Sequence, residues 1–138
     1  MQHETKIRIY FQDTDAGGIV YHANYLDYAE RARSEFLYDI GLSNVALIDK
    51  GVAFVVRRVE MDFRASARLD DLLTVTTQIV DIKNASMVME QNVCRDGNVL
   101  VHMILQLAFI DPKTMRPIRV PTDMKDLFMT YMKSQEEN

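Results

Sequence analysis

Two carboxylates, Asp13 and Asp15, stand two positions apart and are followed by Gly17, Gly18 and His22. A carboxylate at such a place can take a proton from water or attack an acyl carbon itself. His22 lies where the pattern that follows becomes helical. A helix start offers unpaired backbone N–H groups at the positive end of its dipole, which can polarise a carbonyl or hold an oxyanion. Gly17 and Gly18 permit a sharp turn and a close approach of a substrate to the backbone. The same residues fit a second reading: DxD ahead of a Gly-Gly pair is ordinary Asx-turn chemistry, and a single His at a helix start commonly caps or packs. Metal chemistry is not indicated, because His3, His22 and His102 are widely separated and lack ligand-like spacing.

The elements that must position these groups are readable from periodicity. Residues 5–11 alternate, with Ile7, Ile9 and Phe11 on one side, which predicts a strand. From Asn24 the period turns helical, and Tyr25, Tyr28, Ala29, Ala32, Phe36 and Ile40 form a stripe. Asn24 is read as the N-cap, Asp27 as a first-turn acid and Gly41 as the stop. Beyond Gly51, residues 54–63, 72–82, 86–95 and 99–110 read as strands, with tight antiparallel connections over 83–85 and 96–98. Pro112 and Pro117 end the last strand, and Pro121-Thr122 opens a short amphipathic helix carrying Met124, Leu127, Phe128 and Tyr131. The order is strand, long helix, four antiparallel strands, short helix, an α+β arrangement. The long helix covers one face of the sheet, and a second subunit is expected to cover the other.

Composition sets the outer bounds. A chain of 138 residues, 48% hydrophobic and 26% charged, is expected to form one domain over 1–138, with 134–138 as a frayed acidic tail. A net charge of −4 without a basic run argues against a nucleic-acid binder. Cys94 is the single cysteine, so no intrachain disulfide forms, and with no secretory leader in view a cytoplasmic location is expected. No apolar run approaches the ~18 residues that a membrane span needs. Cys94 itself falls within an alternating strand and reads as a small strand residue.

Residues 7–37, IRIYFQDTDAGGIVYHANYLDYAERARSEFL, resemble the signature of the 4-hydroxybenzoyl-CoA thioesterase branch of the hotdog-fold superfamily. The run DTDAGGIVYHANY is similar to that of its YbgC-like group, the acyl-CoA thioesterases associated with the Tol–Pal envelope system. Similarity continues through AFVVRRVEMDF (53–63) and ARLDDLLTV (67–75), then fades to pattern. The resemblance implies a hotdog fold, a long central helix wrapped by a curved five-stranded antiparallel sheet. It implies hydrolysis of an acyl-CoA or acyl-carrier-protein thioester without a cofactor, coenzyme A being part of the substrate. It also implies a homodimer or homotetramer with sites at subunit interfaces. Asp15 matches the catalytic carboxylate, as general base or nucleophile. His22 matches a position held to be functional, with its backbone amide on the thioester carbonyl; Asp13 is then structural. The sequence departs from the pattern at Phe11, where a Tyr is common, and at Ser66, where a Pro is common.

Four arginines flank this region: Arg57, Arg58, Arg64 and Arg68. Guanidinium groups suit the phosphates of coenzyme A, and Arg57 and Arg58 are taken as candidates for that contact; solvated strand faces and subunit contacts are the other reading. Met87, Met89 and Met103 could line an adaptable acyl pocket or fill the core. Two rival functions share these residues, a hotdog dehydratase acting on a hydroxyacyl thioester and a non-catalytic acyl-CoA-binding sensor.

Overall fold

Period-two alternation in the second half of the chain produces four long strands, and one short strand from the N-terminus joins them. The computed structural model describes residues 2–136. The elements are β1 (His3–Arg8), α1 (Asn24–Asp39), α2 (Asn44–Asp49), β2 (Ala53–Phe63), β3 (Leu72–Ile82), β4 (Ser86–Arg95), β5 (Asn98–Ile110) and α3 (Thr122–Glu136). They form one five-stranded sheet in the order β1-β3-β4-β5-β2, antiparallel at every pairing. Register shifts at Val56/Arg58, Ile79/Asp81 and Val93/Cys94 interrupt the ladders. Such bulges bend and twist a sheet, here around the helix it wraps. This is the hotdog arrangement that the resemblance implies.

The helix lies close because its inward stripe is partly small. Ala29 and Ala32 are fully buried beside Tyr25, Tyr28 and Phe36. Beneath the first half of α1 the core is built on Ile9, Leu73, Val75, Val93, Met103 and Leu105. Past its second half, α3 closes the groove: Phe128 packs edge-on against Phe54 and tilted against Phe109 at centroid distances of 6.0 and 6.3 Å.

Several expectations change. The first strand ends at Arg8, and Phe11 sits in a 3-10 turn (Phe11–Asp13) with its side chain 81% exposed. The cause is Asp13, whose Oδ2 accepts the Tyr10 N–H at 2.8 Å and closes that turn. Asn24 is the first helical residue rather than the cap; its side-chain amide donates to the Asp13 carbonyl at 2.9 Å instead. The helix α2 was not anticipated, although Ser43, which accepts the Ala46 N–H at 3.1 Å, is a normal N-cap signal for it. The C-terminal helix is not short: it has 15 residues against 16 in α1. Its helical backbone includes 134–136 of the expected frayed tail, and 137–138 lie outside the described residues. The sheet face turned away from α1 carries polar groups such as Thr76, Gln78, Glu90, Asn92 and His102, with His102 3.2 Å from Glu90. Val88 and Ile104 lie among them on the same face, so it is mixed in character.

The connection between β2 and β3 is tied down by the helix. The Tyr25 hydroxyl accepts the buried Ala67 N–H at 2.9 Å, and Asp71 accepts from Arg68 N and from Arg95 at 2.8 and 2.7 Å. Tyr25→Phe leaves the Ala67 N–H without an acceptor in a dry site. The expected cost is about 1–3 kcal/mol, read as a lower urea midpoint at unchanged slope.

Candidate active site

Asp15 is presented by a tight hairpin. Thr14 and Val20 form an antiparallel bridge, the Asp15 N–H donates to Ile19 O at 2.9 Å, and the Gly18 N–H donates to Asp15 O at 3.1 Å. Gly18 takes a φ of +77°, the left-handed conformation that the turn requires and that a Cβ disfavours. Gly17 N–H donates to Asp15 Oδ1 at 2.9 Å, so the Asx-turn reading of this residue holds for one oxygen. The other, Oδ2, has no partner among the described residues. Asp13 differs: its carboxylate is engaged by the Tyr10 amide, and its carbonyl accepts from Tyr21 N and from the Asn24 side chain. Each acid has one carboxylate oxygen engaged, but Asp13 closes the turn behind the hairpin and only Asp15 lines the cleft described next.

The hairpin is pinned beside the end of β2. Val20 N donates to Ala67 O at 2.9 Å and Leu69 N donates to Gly18 O at 3.1 Å. Between them lies an open cleft of about 360 Å³, lined by Asp15, Tyr21, His22, Tyr25, Phe63 and Arg64 among others. Asp15 and His22 are thus brought together, as expected. The His22 ring is exposed, 4.5 Å from the Tyr21 ring and 6.4 Å from Phe63. The chain turns at His22 and Ala23 into α1, with Asn24 N donating to Tyr21 O at 2.9 Å. The amides of His22 and Ala23 find no acceptor among the described residues, which leaves two donors at the positive end of a 16-residue helix. Burial pushes the Tyr25 phenol up, against the lowering effect of the Ala67 N–H that it accepts. Burial and the neighbouring Asp13 carboxylate hold the Tyr28 phenol higher still. Both phenols stay protonated at neutral pH.

The arginines divide differently from expectation. Arg58 pairs with Glu60 at 2.9 Å on the exposed face of β2, and Arg57 lines a separate small cavity of about 120 Å³ with Asp81, Lys83 and Gln106. Neither faces the Asp15 cleft of its own chain, because the strand carries both toward its middle. Arg64 does line the cleft, and its exposed guanidinium pairs with Asp62 at 3.0 Å. Its place directly after the last residue of β2 was the available signal. A second, more apolar cavity of about 390 Å³ lies between α1, α2 and the other end of β2, walled by Leu37, Leu47, Phe54, Met87, Met89 and Leu107. Met87 and Met89 therefore border this cavity while belonging, like Met103, to the buried core.

Residues 9–128 match the profile of a family described as the thioesterase-like superfamily. The acyl-CoA thioesterase YbgC of Haemophilus influenzae is 38% identical over 123 residues, 88% of this chain and 90% of that protein. The acyl-CoA thioester hydrolase YbgC of Escherichia coli O157:H7 is 41% identical over 116 residues, 83% of this chain and 87% of that one. Among solved structures, a probable thioesterase from Bartonella henselae superposes with a TM-score of 0.82 at 39% identity, over 88% of this chain and 100% of its own.

The two glycines respond to substitution in opposite ways. A Cβ on Gly18 meets nothing within 4 Å, so Gly18→Ala acts through the backbone alone and is expected to cost about 1–2 kcal/mol in chemical denaturation. A Cβ on Gly17 would lie 3.3 Å from Asp15 Oδ1. Gly17→Ala is expected to keep stability within about 0.5 kcal/mol, while a crystal structure of the variant shows the Asp15 carboxylate displaced.

Proposed function

The chain belongs to the thioesterase-like superfamily, and from that membership we propose that it hydrolyses acyl-CoA thioesters to the free acid and coenzyme A, with Asp15 as the catalytic carboxylate. The observation that carries this reading is the meeting in one cleft of a half-free carboxylate and His22, whose unpartnered amide stands at the helix start with that of Ala23 next to it. The thioester carbonyl oxygen accepts from the amides of His22 and Ala23, which stabilise the negative charge that develops there. Asp15 Oδ2 either takes a proton from the attacking water or attacks the carbonyl carbon to give an anhydride that water then opens. In both routes the tetrahedral oxyanion collapses, the carbon–sulfur bond breaks, and the thiolate of coenzyme A leaves and is protonated. Carboxylate, amides, water and the His22 imidazole beside them suffice for these steps. A thioester substrate and a lone cysteine suit the reducing cytoplasm.

We further propose that the active unit contains two copies joined through β2. The outer edge of this 11-residue strand is unpaired, and Val56 and Phe63 on it are 45% and 49% exposed. The opposite edge, β1, has six residues and carries Lys6 and Arg8, the short charged form that discourages pairing. Directly opposed residues of an antiparallel pair share a face, so the two-fold axis must pass through a residue. An axis at Arg58 or at Glu60 sets like charges against each other. An axis at Val59 sets Arg58 against Glu60 of the partner, which is favourable. With the extra residue at the Arg57 bulge passed over, that register also places Phe54 opposite Phe63 of the partner subunit, beside Arg64 of the partner subunit. Within one chain the apolar cavity and the Asp15 cleft lie at opposite ends of β2, roughly 23 Å apart from Val56 to Phe63. Across the pair they adjoin. The acyl chain then lies in one copy's cavity while the other copy's Asp15 attacks, Arg64 stands nearer to the phosphates of coenzyme A, and Arg57 and Arg58 belong to the subunit contact.

Two measurements test these readings. Asp15→Asn is expected to lower kcat/KM for acyl-CoA by about 10²–10⁴-fold in a thiol-release assay at retained Tm; wild-type turnover by this variant refutes the mechanism, and tight binding by the wild-type protein without turnover favours a sensor. Asp15→Asn and the cavity-blocking Leu47→Trp are each inactive alone in the paired arrangement. Mixed and reannealed, they regain roughly a quarter of wild-type activity, since half of the dimers are hybrids with one intact site. A site contained in one chain regains none.

A further inference from the structure

The apolar cavity between α1, α2 and β2 holds one group that hydrolysis does not use. Arg33, half-buried on α1, lines it, and its Nη1 donates to Gln91 Oε1 at 2.9 Å. Gln91 is fully buried, as is Thr77. The Gln91 amide nitrogen donates to the Ala29 carbonyl at 2.9 Å and to Thr77 Oγ1 at 3.0 Å. A main-chain carbonyl can only accept, so the amide orientation is fixed and the Gln91 oxygen must face Arg33. The guanidinium is thereby held in place through one of its five N–H groups.

The other donors have no acceptor among the described residues, and no carboxylate there lies within ion-pair distance of Arg33. Glu30, one turn earlier, also lines the cavity but is exposed and makes no contact with the guanidinium. Ser34 and Asn44, the other polar groups in the wall, are bonded to each other at 3.0 Å. Leu37, Leu47, Phe54, Met87, Met89 and Leu107 make up the rest. A plain alkyl chain entering this space would strip water from a cation and return no hydrogen bond, an unfavourable exchange. A chain with an oxygen at the right depth would replace that water with a charge-assisted bond.

We propose that Arg33 makes this cavity selective for acyl groups that carry a hydrogen-bond-accepting oxygen away from the thioester. This inference rests on the acyl-CoA thioesterase reading and on the cavity being the acyl site. Arg33 is the contact, and Gln91 is a positioning residue. Glu30 at the rim offsets part of the positive charge, so neutral hydroxyl and anionic carboxylate ends are separate arms of the test.

The decisive comparison measures kcat/KM for acyl-CoAs matched in chain length from butyryl to decanoyl and bearing a terminal methyl, hydroxyl or carboxylate. At the best length an oxygen-bearing chain is expected to exceed its methyl counterpart by about tenfold or more, the discrimination typical of a site built around a hydrogen bond. Arg33→Met is expected to collapse that ratio, and Arg33→Lys to restore part of it. A methyl preference in the wild-type protein at every length, or a ratio unchanged in Arg33→Met, overturns the inference while leaving the hydrolase reading intact. The same ratios measured calorimetrically with non-hydrolysable S-alkyl-CoA thioethers, with and without a terminal hydroxyl, decide the matter by binding alone. Absent turnover together with a hydroxyl preference in binding would refute the hydrolase and keep the cavity assignment.

Discussion

The closeness of α1 to the sheet is the constraint on which the rest depends. Two fully buried alanines, Ala29 and Ala32, remove the bulk that would hold the helix away. The approach is so near that Gln91, a side chain of β4, reaches the helix backbone at Ala29 O. A buried amide in such a place would be a liability if any of its groups were unpaired. Here both ends are used, and the bonds fix where the helix sits along the sheet as well as how near. Because the helix is fixed, so is its first turn, and with that turn the position of the His22 and Ala23 amides. Tyr25, one turn on, extends the same control sideways by holding Ala67.

The Asp15 hairpin is therefore fastened to two things that are themselves fixed. Its strands bridge to each other and to the β2–β3 connection, where Ile19 pairs with Arg68. That connection is held by Tyr25 from the helix and by the Asp71–Arg95 pair from the sheet. Burial works against the charge on Asp71, yet the Arg95 guanidinium and the Arg68 N–H hold its carboxyl below the usual carboxylate range. The partly exposed pair contributes modestly; its importance is geometric, since Arg95 also reaches Ser66 O at 3.3 Å. Ser66 stands where the pattern commonly has Pro, and an external hydrogen bond here supplies a restraint on the same backbone.

Periodicity made the sheet legible almost to the residue: β3 and β4 begin and end where their alternation does. It was legible because each inward position on those strands is buried and each outward one is not, so pattern and burial coincide. Thr77 and Gln91 are the exceptions, polar residues at inward positions, and they belong to the network that sets the helix. Three features escaped for local reasons. Asp13 cut β1 short by drawing the Tyr10 amide into a turn, which an alternation count does not register. Asn24 looks like a cap but spends its side chain on a neighbouring loop carbonyl. The six-residue α2 is too brief to show a helical period, leaving only Ser43 to announce it. At the site, spacing showed that two carboxylates stood at a turn, yet nothing in DxD distinguishes them. The family resemblance favoured Asp15, and the structure gives a separate physical reason: of the two acids only Asp15 lines the cleft.

The arginines show why a strand can mislead about a site. Arg57 and Arg58 are tied to Asp15 in expectation, but β2 is extended, and each residue along it carries a side chain roughly 3.3 Å farther. What a single chain separates, an edge strand can reunite. An edge offers its backbone groups to whatever strand arrives, and the charges along it decide which register is accepted. On β2 the order Arg58, Val59, Glu60 discriminates among the central symmetric registers, because of the axes through these three residues only that through Val59 avoids setting a charge against its own copy and pairs opposite charges instead. The alternation that places Val59 inward and its charged neighbours outward thus performs two tasks at once. It builds the core of one chain, and it specifies how a second chain would have to lie for a cavity and a carboxylate at opposite ends of the same strand to meet.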